Sequence, residues 1–473
     1  MAAMDPLDVL MMTAEELSNP MHITALLIVA PPADAGPRFA DEFYRACRAV
    51  TAADLDPRLR RRPHRGVDTG GVWVWRDVDD IDMNGHVHRW SLPADADGDA
   101  LWSLVGELHA APLDWSRPMW EAHLIDGLDG GRVALLMKVH HSVVDGIAGI
   151  RLIESWLTED PSRRSMRLFS AEPRDADAHE DAPVQAGTSR GLPNPFAWAR
   201  STVGAAVSGA DFALKVAQSQ VDNVVQALIG NSAALPFSAP RTRFNGRLDA
   251  GRSVACAGVE RSRICAVSEA TETTRNDVIT AVIAGALRAW LSAHDEMPDE
   301  SLVAICPITV RARDDNGGGA NAFGVALCAL GTDVEDPAER LAVVARSMSE
   351  AKQRVSGFGS GPSLLVALPA IAPTLLLPQI PFVPTPRPAF NLGISNVPGP
   401  RNELYWNGAH VEAIYPVSTI YDGLGLNITV CSYSDRFDIG YVAGRDQMPD
   451  IAALIEFTER SLSELEDAVL IAS

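Results

Sequence analysis

Two apolar periods run through this chain. Residues 21–29 (MHITALLIV), closed by Pro31-Pro32, and 132–138 (RVALLMK) are short apolar runs bounded by turn residues, which predicts strands. Residues 71–76 (GVWVWR) alternate at the strand period. Residues 101–111 are helix-like, and Ile147, Ile150, Ile153 and Leu157 recur at helical spacing. Residues 277–291 (DVITAVIAGALRAWL) are apolar on nearly every side, which predicts a buried helix. Residues 302–310 are strand-like, Gly317-Gly318-Gly319 marks a flexible turn, and 426–433 and 437–442 predict two strands closed by a polar turn.

These elements fall into two α/β stretches, 1–158 and 241–473. Between them, 159–195 is rich in Pro, Asp, Ala and Arg and reads as a linker, and 197–228 reads as one or two helices, so 159–240 is expected to connect the two. Residues 364–383 (LLVALPAIAPTLLLPQIPFV) are as long as a membrane span but are broken by Pro369, Pro373, Pro378 and Pro381. The first expectation there is a buried or irregular apolar arm. The alternatives are a surface segment that dips into lipid and, least of the three, a transmembrane helix.

Composition narrows the function. Among 473 residues, 47% hydrophobic and 21% charged is a globular mix that excludes a disordered or fibrous chain. Lys+Arg of 40 against Asp+Glu of 61 gives a net charge of −21, the wrong sign for a general nucleic-acid binder. The lysines are Lys138, Lys215 and Lys352, none after a glycine, so there is no Walker A loop and an anionic ligand must be met by arginine, backbone amides or helix N-termini. The cluster Arg58, Arg60, Arg61, Arg62 and Arg65 is a solvated face, with coenzyme phosphates or lipid headgroups as the alternative partners. Six scattered cysteines without a C-x-x-C pair argue against a disulfide framework and a cysteine zinc site. The acidic N-terminus lacks the basic flank of a signal peptide, so a cytoplasmic, unsecreted chain is expected.

The sharpest chemistry lies in Lys138-Val139-His140-His141-Ser142-Val143-Val144-Asp145-Gly146, where an apolar strand meets an apolar helix. Neighbouring strand residues point to opposite faces, so His140 and His141 have different jobs. A histidine is basic enough near neutrality to take a proton from a hydroxyl. Asp145 has two roles open to it, pairing with an arginine or capping the helix that starts at Gly146, and Gly146 permits a tight turn. No H-E-x-x-H or cysteine partner supports a metal here. The one G-x-S-x-G match, residues 187–191, lies in the linker rather than at a strand-to-helix turn, so no nucleophilic serine is expected.

The string HHSVVDG resembles the HHxxxDG signature of the CoA-dependent acyltransferase superfamily, which includes chloramphenicol acetyltransferase-like enzymes and peptide-synthetase condensation domains. LDWSRPMWE at 113–121 resembles the LDxxRPLWE stretch of the bacterial wax ester synthase/acyl-CoA:diacylglycerol acyltransferase family. Asn276-Asp277, PITVR at 307–311, SNVPGP at 395–400, Met21-His22 and Ser432-Tyr433 are similar to further motifs of that family, in its order and over nearly the whole chain. Met119 stands where leucine is usual, and Thr309 where serine is common.

The resemblance implies an α/β fold of two chloramphenicol-acetyltransferase-like halves, mixed sheets with flanking helices, joined by a linker and enclosing an active-site tunnel at their interface. It implies O-acyl transfer from acyl-CoA, a co-substrate rather than a permanently bound cofactor, to diacylglycerol or a long-chain alcohol. His141 is then the general base in the setting of His140, Asp145 and Gly146, with Asn276 or backbone amides as oxyanion donors. Pro118, Trp120, Asn396, Pro398 and Gly399 are candidates for the substrate side, and Arg311 for the partner of Asp145. Structural readings stay open beside these: Thr274 or Asn276 as a helix cap, 118–120 as a packed turn, 396–400 as a rigid loop. A membrane or lipid-droplet surface is an implied partner. The competing functions are an acyltransferase of the same signature acting on a polyketide or sugar, and a non-catalytic lipid-droplet-binding protein.

Overall fold

A computed structural model describes residues 1–93, 98–170, 238–311, 321–357 and 387–471. The apolar runs of the sequence become the central strands of two six-stranded sheets. The N-terminal strands are β1 (Ala2–Ala3), β2 (His22–Ala30), β3 (Arg61–His64), β4 (Val74–Asp77), β5 (Val87–Ser91), β6 (Trp120–Asp126) and β7 (Val133–His140). The C-terminal strands are β8 (Arg252–Glu260), β9 (Val303–Arg311), β10 (Asn321–Ala329), β11 (Leu392–Val397), β12 (Leu404–Trp406), β13 (Ala409–Val417), β14 (Leu426–Tyr433) and β15 (Arg436–Gly444). One sheet runs β12-β13-β2-β7-β6-β5, the other β10-β9-β11-β14-β15-β8, and β1-β4-β3 forms a small third sheet. Both large sheets are mixed: β5 runs parallel to β6, and β11 parallel to β9 and β14. All eight residues of β7 are buried, as its continuous apolar run requires.

The flanking helices are α1 (Pro6–Leu17), α2 (Phe39–Arg48), α3 (Ala100–Ala110), α4 (Gly146–Ser155), α5 (Arg261–Ala270), α6 (Arg275–Ala293), α7 (Pro337–Gly357) and α8 (Ala453–Glu466). Helix α6 is the buried helix of the apolar pattern, begun by a capping box in which Thr274 Oγ1 accepts from the Asp277 amide at 3.2 Å. The alternation at 71–76 yields a strand only from Val74, because Gly70 and Gly71 sit at φ of +61° and +80° in the turn before it.

The two sequence stretches exchange elements. Strand β13 pairs with β2, from His410 opposite Ala30 to Val417 opposite Thr24, so C-terminal residues complete the N-terminal sheet. In return α3 packs on β8 so closely that a Cβ on Gly106 would lie 2.5 Å from the Arg252 carbonyl oxygen. Leu26, Leu136, Val105 and Leu108 share one apolar core with Val254 and Val442. Within the expected linker, Leu168 and Phe169 are buried against the N-terminal sheet, an anchor hidden among charged neighbours. The helices expected at 197–228, the triple glycine 317–319 and the apolar run 364–383 lie outside the described residues. Among the described residues no helix is long and apolar enough to cross a membrane.

Candidate active site

The histidine pair sits where β7 gives way to α4. His140 is fully buried. Its Nδ1 accepts from the Ser142 amide at 3.1 Å and lies 2.5 Å from Ser142 Oγ, and its Nε2 meets Glu15 Oε2 of α1 at 3.0 Å. A carboxylate only accepts, so Nε2 carries the proton and both ring nitrogens are committed. Glu15 also accepts from the Met21 amide at 2.5 Å and from Trp115 Nε1 at 2.9 Å. Burial alone would raise the Glu15 carboxyl, but His140 and these other donors hold it below the usual carboxylate range.

The backbone is pinned from two sides. His140 N donates to Met119 O, and His141 N donates to Met21 O, both at 2.9 Å. Met119 itself is buried with Met12, Trp73, Trp75 and Leu113, a small core that fastens α1 against the 113–120 loop. An unbranched Met in place of Leu is therefore a packing change at a residue whose carbonyl does the positioning.

His141 points the other way. Protein encloses its ring, yet the ring keeps accessible surface, and that surface lines a cavity of about 540 Å³. Nδ1 is buried and, among the described residues, has no partner at hydrogen-bond geometry. Burial and then the neighbouring His140 lower the imidazole pKa, while the residue's own carbonyl and Asp145 oppose them, so His141 is neutral near pH 7.

The cavity is lined from both sheets, by Ile23, Met137 and Val417 of the one with Gly149, Ile153 and Trp156 along α4, and by Ile305, Ile394 and Asn396 of the other, with Leu424 from the loop before β14. Cys431 also lines it, but burial pushes its thiol far up, so it is no nucleophile. Asp145 is exposed and caps α4, its Oδ1 accepting from the Ala148 amide at 2.7 Å. Its charge is felt by Arg58, which pairs with Asp56 at 2.9 Å. The side chain of Arg311 lies outside the described residues. Gly146 packs tightly, since a Cβ there would lie 3.2 Å from Val397 Cγ2.

The two motif asparagines, 120 positions apart, meet: Asn396 Nδ2 donates to Asn276 Oδ1 at 3.1 Å. Asn396 lines the cavity and Asn276 does not. Gly399 donates its amide to Ser432 Oγ at 3.0 Å, and a Cβ there would lie 2.3 Å from the Ser432 carbonyl oxygen, so this loop is held by close backbone approach. Pro398 is exposed, while Pro118 and Trp120 are buried in the N-terminal core, outside the cavity lining. Trp120 Nε1 donates to Leu59 O at 2.8 Å, and its indole stacks on His86 at 4.5 Å.

Residues 4–279 match the wax ester synthase/diacylglycerol acyltransferase catalytic domain, and 319–466 match the C-terminal domain of the same proteins. The chain belongs to that family. A wax ester synthase/diacylglycerol acyltransferase from Marinobacter aquaeolei VT8 superposes with a TM-score of 0.73 at 31% identity, over 98% of this chain and 99% of its own. A Mycobacterium tuberculosis protein named "Probable diacyglycerol O-acyltransferase tgs2" is 35% identical over 472 residues, 99% of this chain and 100% of the relative. The first condensation domain of the calcium-dependent antibiotic synthetase shares the fold at 15% identity and a TM-score of 0.55. The α/β architecture of two sheets and the acyltransferase class implied by the motifs are thus those of the family.

Sequence reasoning missed Glu15. It lies 125 positions from His140 and is one of three acids of the first helix, with Asp8 and Glu16, so nothing local singles it out. It also missed the buried Lys138–Glu121 pair and the contact of His22 Nε2 with His109 O at 2.6 Å, which holds the end of α3.

Proposed function

We propose that this protein moves a long-chain acyl group from acyl-CoA to diacylglycerol or a long-chain alcohol, with His141 as general base. The observation that carries it is an imidazole lining an apolar cavity between both sheets, beside a histidine whose nitrogens are both engaged. His141 takes the acceptor's hydroxyl proton as its oxygen attacks the thioester carbonyl carbon. The carbon–sulfur bond then breaks, and the departing thiolate recovers the proton from His141. Backbone amides and Asn396, whose Nδ2 is oriented by Asn276 Oδ1, supply donors for the tetrahedral oxyanion. In this reading residues 1–158 and 241–473 enclose the cavity and 159–240 connects them. No permanently bound cofactor takes part.

The apolar lining favours acceptors that carry hydrocarbon chains over sugars. Both products are lipids, so the protein works from the cytoplasm at a membrane or lipid-droplet surface. Flotation with vesicles of neutral and of anionic lipid should recover it in the lipid fraction. Release of free CoA from palmitoyl-CoA, with hexadecanol, dioleoylglycerol and a sugar offered in turn, tests the reaction. Transfer to the first two is expected, and folded protein without transfer to either overturns the reading.

A further inference from the structure

The stretch of the cavity that runs along α4, its arm, is bordered at Gly149 by a residue without a side chain. Gly149, Ile153 and Trp156 follow at i, i+4 and i+7, on one helical face, and all three line the cavity. Gly149 has no backbone reason to be glycine: it lies inside α4, outside the left-handed φ range. It has no packing reason either. A Cβ there would meet nothing nearer than 3.9 Å, to Ile23 Cδ1 and Val144 Cγ2, both of which line the cavity themselves. Glycine inside a helix costs stability relative to alanine, so what this position gains is space. The floor is rigid. Trp156 is 2% exposed and meets Phe169 edge-on at 5.0 Å, and Phe169 rests on Trp120 at 5.6 Å. The arm measures about 10 Å from Gly149 to Trp156, at the rise of an α-helix.

We propose that this arm holds one hydrocarbon chain, and that Gly149 and Trp156 set the length it accepts, Gly149 by leaving the arm open and Trp156 by closing it. The proposal rests on the acyl-transfer reading, and the chain belongs either to the acyl donor or to the alcohol. Two series separate them: palmitoyl-CoA against octanoyl-CoA at fixed hexadecanol, and hexadecanol against octanol at fixed palmitoyl-CoA.

In one series Gly149→Ala lowers the long-to-short ratio of kcat/KM about tenfold, and Gly149→Leu lowers it further. Trp156→Leu raises it. Gly149→Ala also raises the thermal midpoint, because the helix gains and nothing is displaced. Ratios unmoved in both series of an active enzyme, or a lowered midpoint in Gly149→Ala, overturn the proposal. If the unaltered protein transfers no acyl group, the reaction assignment fails while calorimetry still tests the arm. Gly149→Leu then loses affinity for palmitoyl-CoA or hexadecanol but not for the short homologue, and equal affinities for long and short overturn the proposal.

Discussion

Glu15 and His140, 125 residues apart, meet at 3.0 Å inside the protein, and through this contact the first helix braces the strand end that carries His141. Glu15→Ala leaves His140 Nε2, the Met21 amide and Trp115 Nε1 without their acceptor. Breaking a buried pair of this kind costs about 3 kcal/mol. Glu15→Gln keeps an acceptor and costs about 1 kcal/mol. Denaturant unfolding measures both, and equal stability of Glu15→Ala and the unaltered protein refutes the brace.

His141→Ala should lower turnover by about 10²–10⁴-fold, the usual contribution of a positioned proton acceptor. The free CoA assay measures it, with circular dichroism to show that the variant is folded. Normal turnover by a folded variant ends the general-base role. His140→Ala acts through structure, so its loss of activity comes with a lowered unfolding midpoint.

The pH dependence has a definite sign. A base works when unprotonated, and burial lowers the His141 imidazole below its ordinary 6.5. The acid limb of kcat/KM therefore lies below pH 6.5, with a flat profile through neutrality. Initial rates across a pH series measure it, and a limb at pH 7 or above contradicts a desolvated imidazole.

The sheets, and the different surroundings of His140 and His141, were legible because both are local signals. An apolar run of strand length announces its own burial, as β7 does, and two adjacent histidines on a strand divide between its faces. Partners across the chain were not legible. Nothing within 409–417 says that this strand will pair with 24–30 rather than with its own neighbours. Nor does a Pro-Met-Trp string say whether Trp120 meets a ligand or the core. Leu59, His86 and Phe169 decide that, and only the fold assembles them.

Asp145 caps α4 through its Oδ1. Asp145→Ala removes the acceptor for the Ala148 amide and costs about 1 kcal/mol, whereas Asp145→Asn and Asp145→Ser keep most of it. Thermal unfolding of the three variants measures the ordering. Because α4 carries Gly149 and Trp156, activity should follow stability across the series. A stable but inactive Asp145→Asn would show that the carboxylate charge matters beyond the cap.

Lys138 has no exposed surface, and its ammonium donates to the carbonyls of Leu108 and Ala111 at 3.1 Å while pairing with Glu121 at 2.8 Å. It thus ties the end of α3, and Glu121 opposite it on β6, to the strand that ends in His140. Burial would raise the Glu121 carboxyl, but the His123 hydrogen bond and the Lys138 charge bring it down to about 2. Its folded value lies below the ordinary 4.5, so its contribution to stability is present above pH 4.5 and is lost as pH falls from there toward 2. Lys138→Met should cost about 3–5 kcal/mol at neutral pH, because two carbonyls and a carboxylate lose their partner together. In a double-mutant cycle with Glu121→Gln the coupling should be about 2 kcal/mol at pH 7 and should shrink toward pH 2. Urea unfolding at the two pH values measures it, and a coupling near zero at pH 7 shows that these elements are held by packing instead.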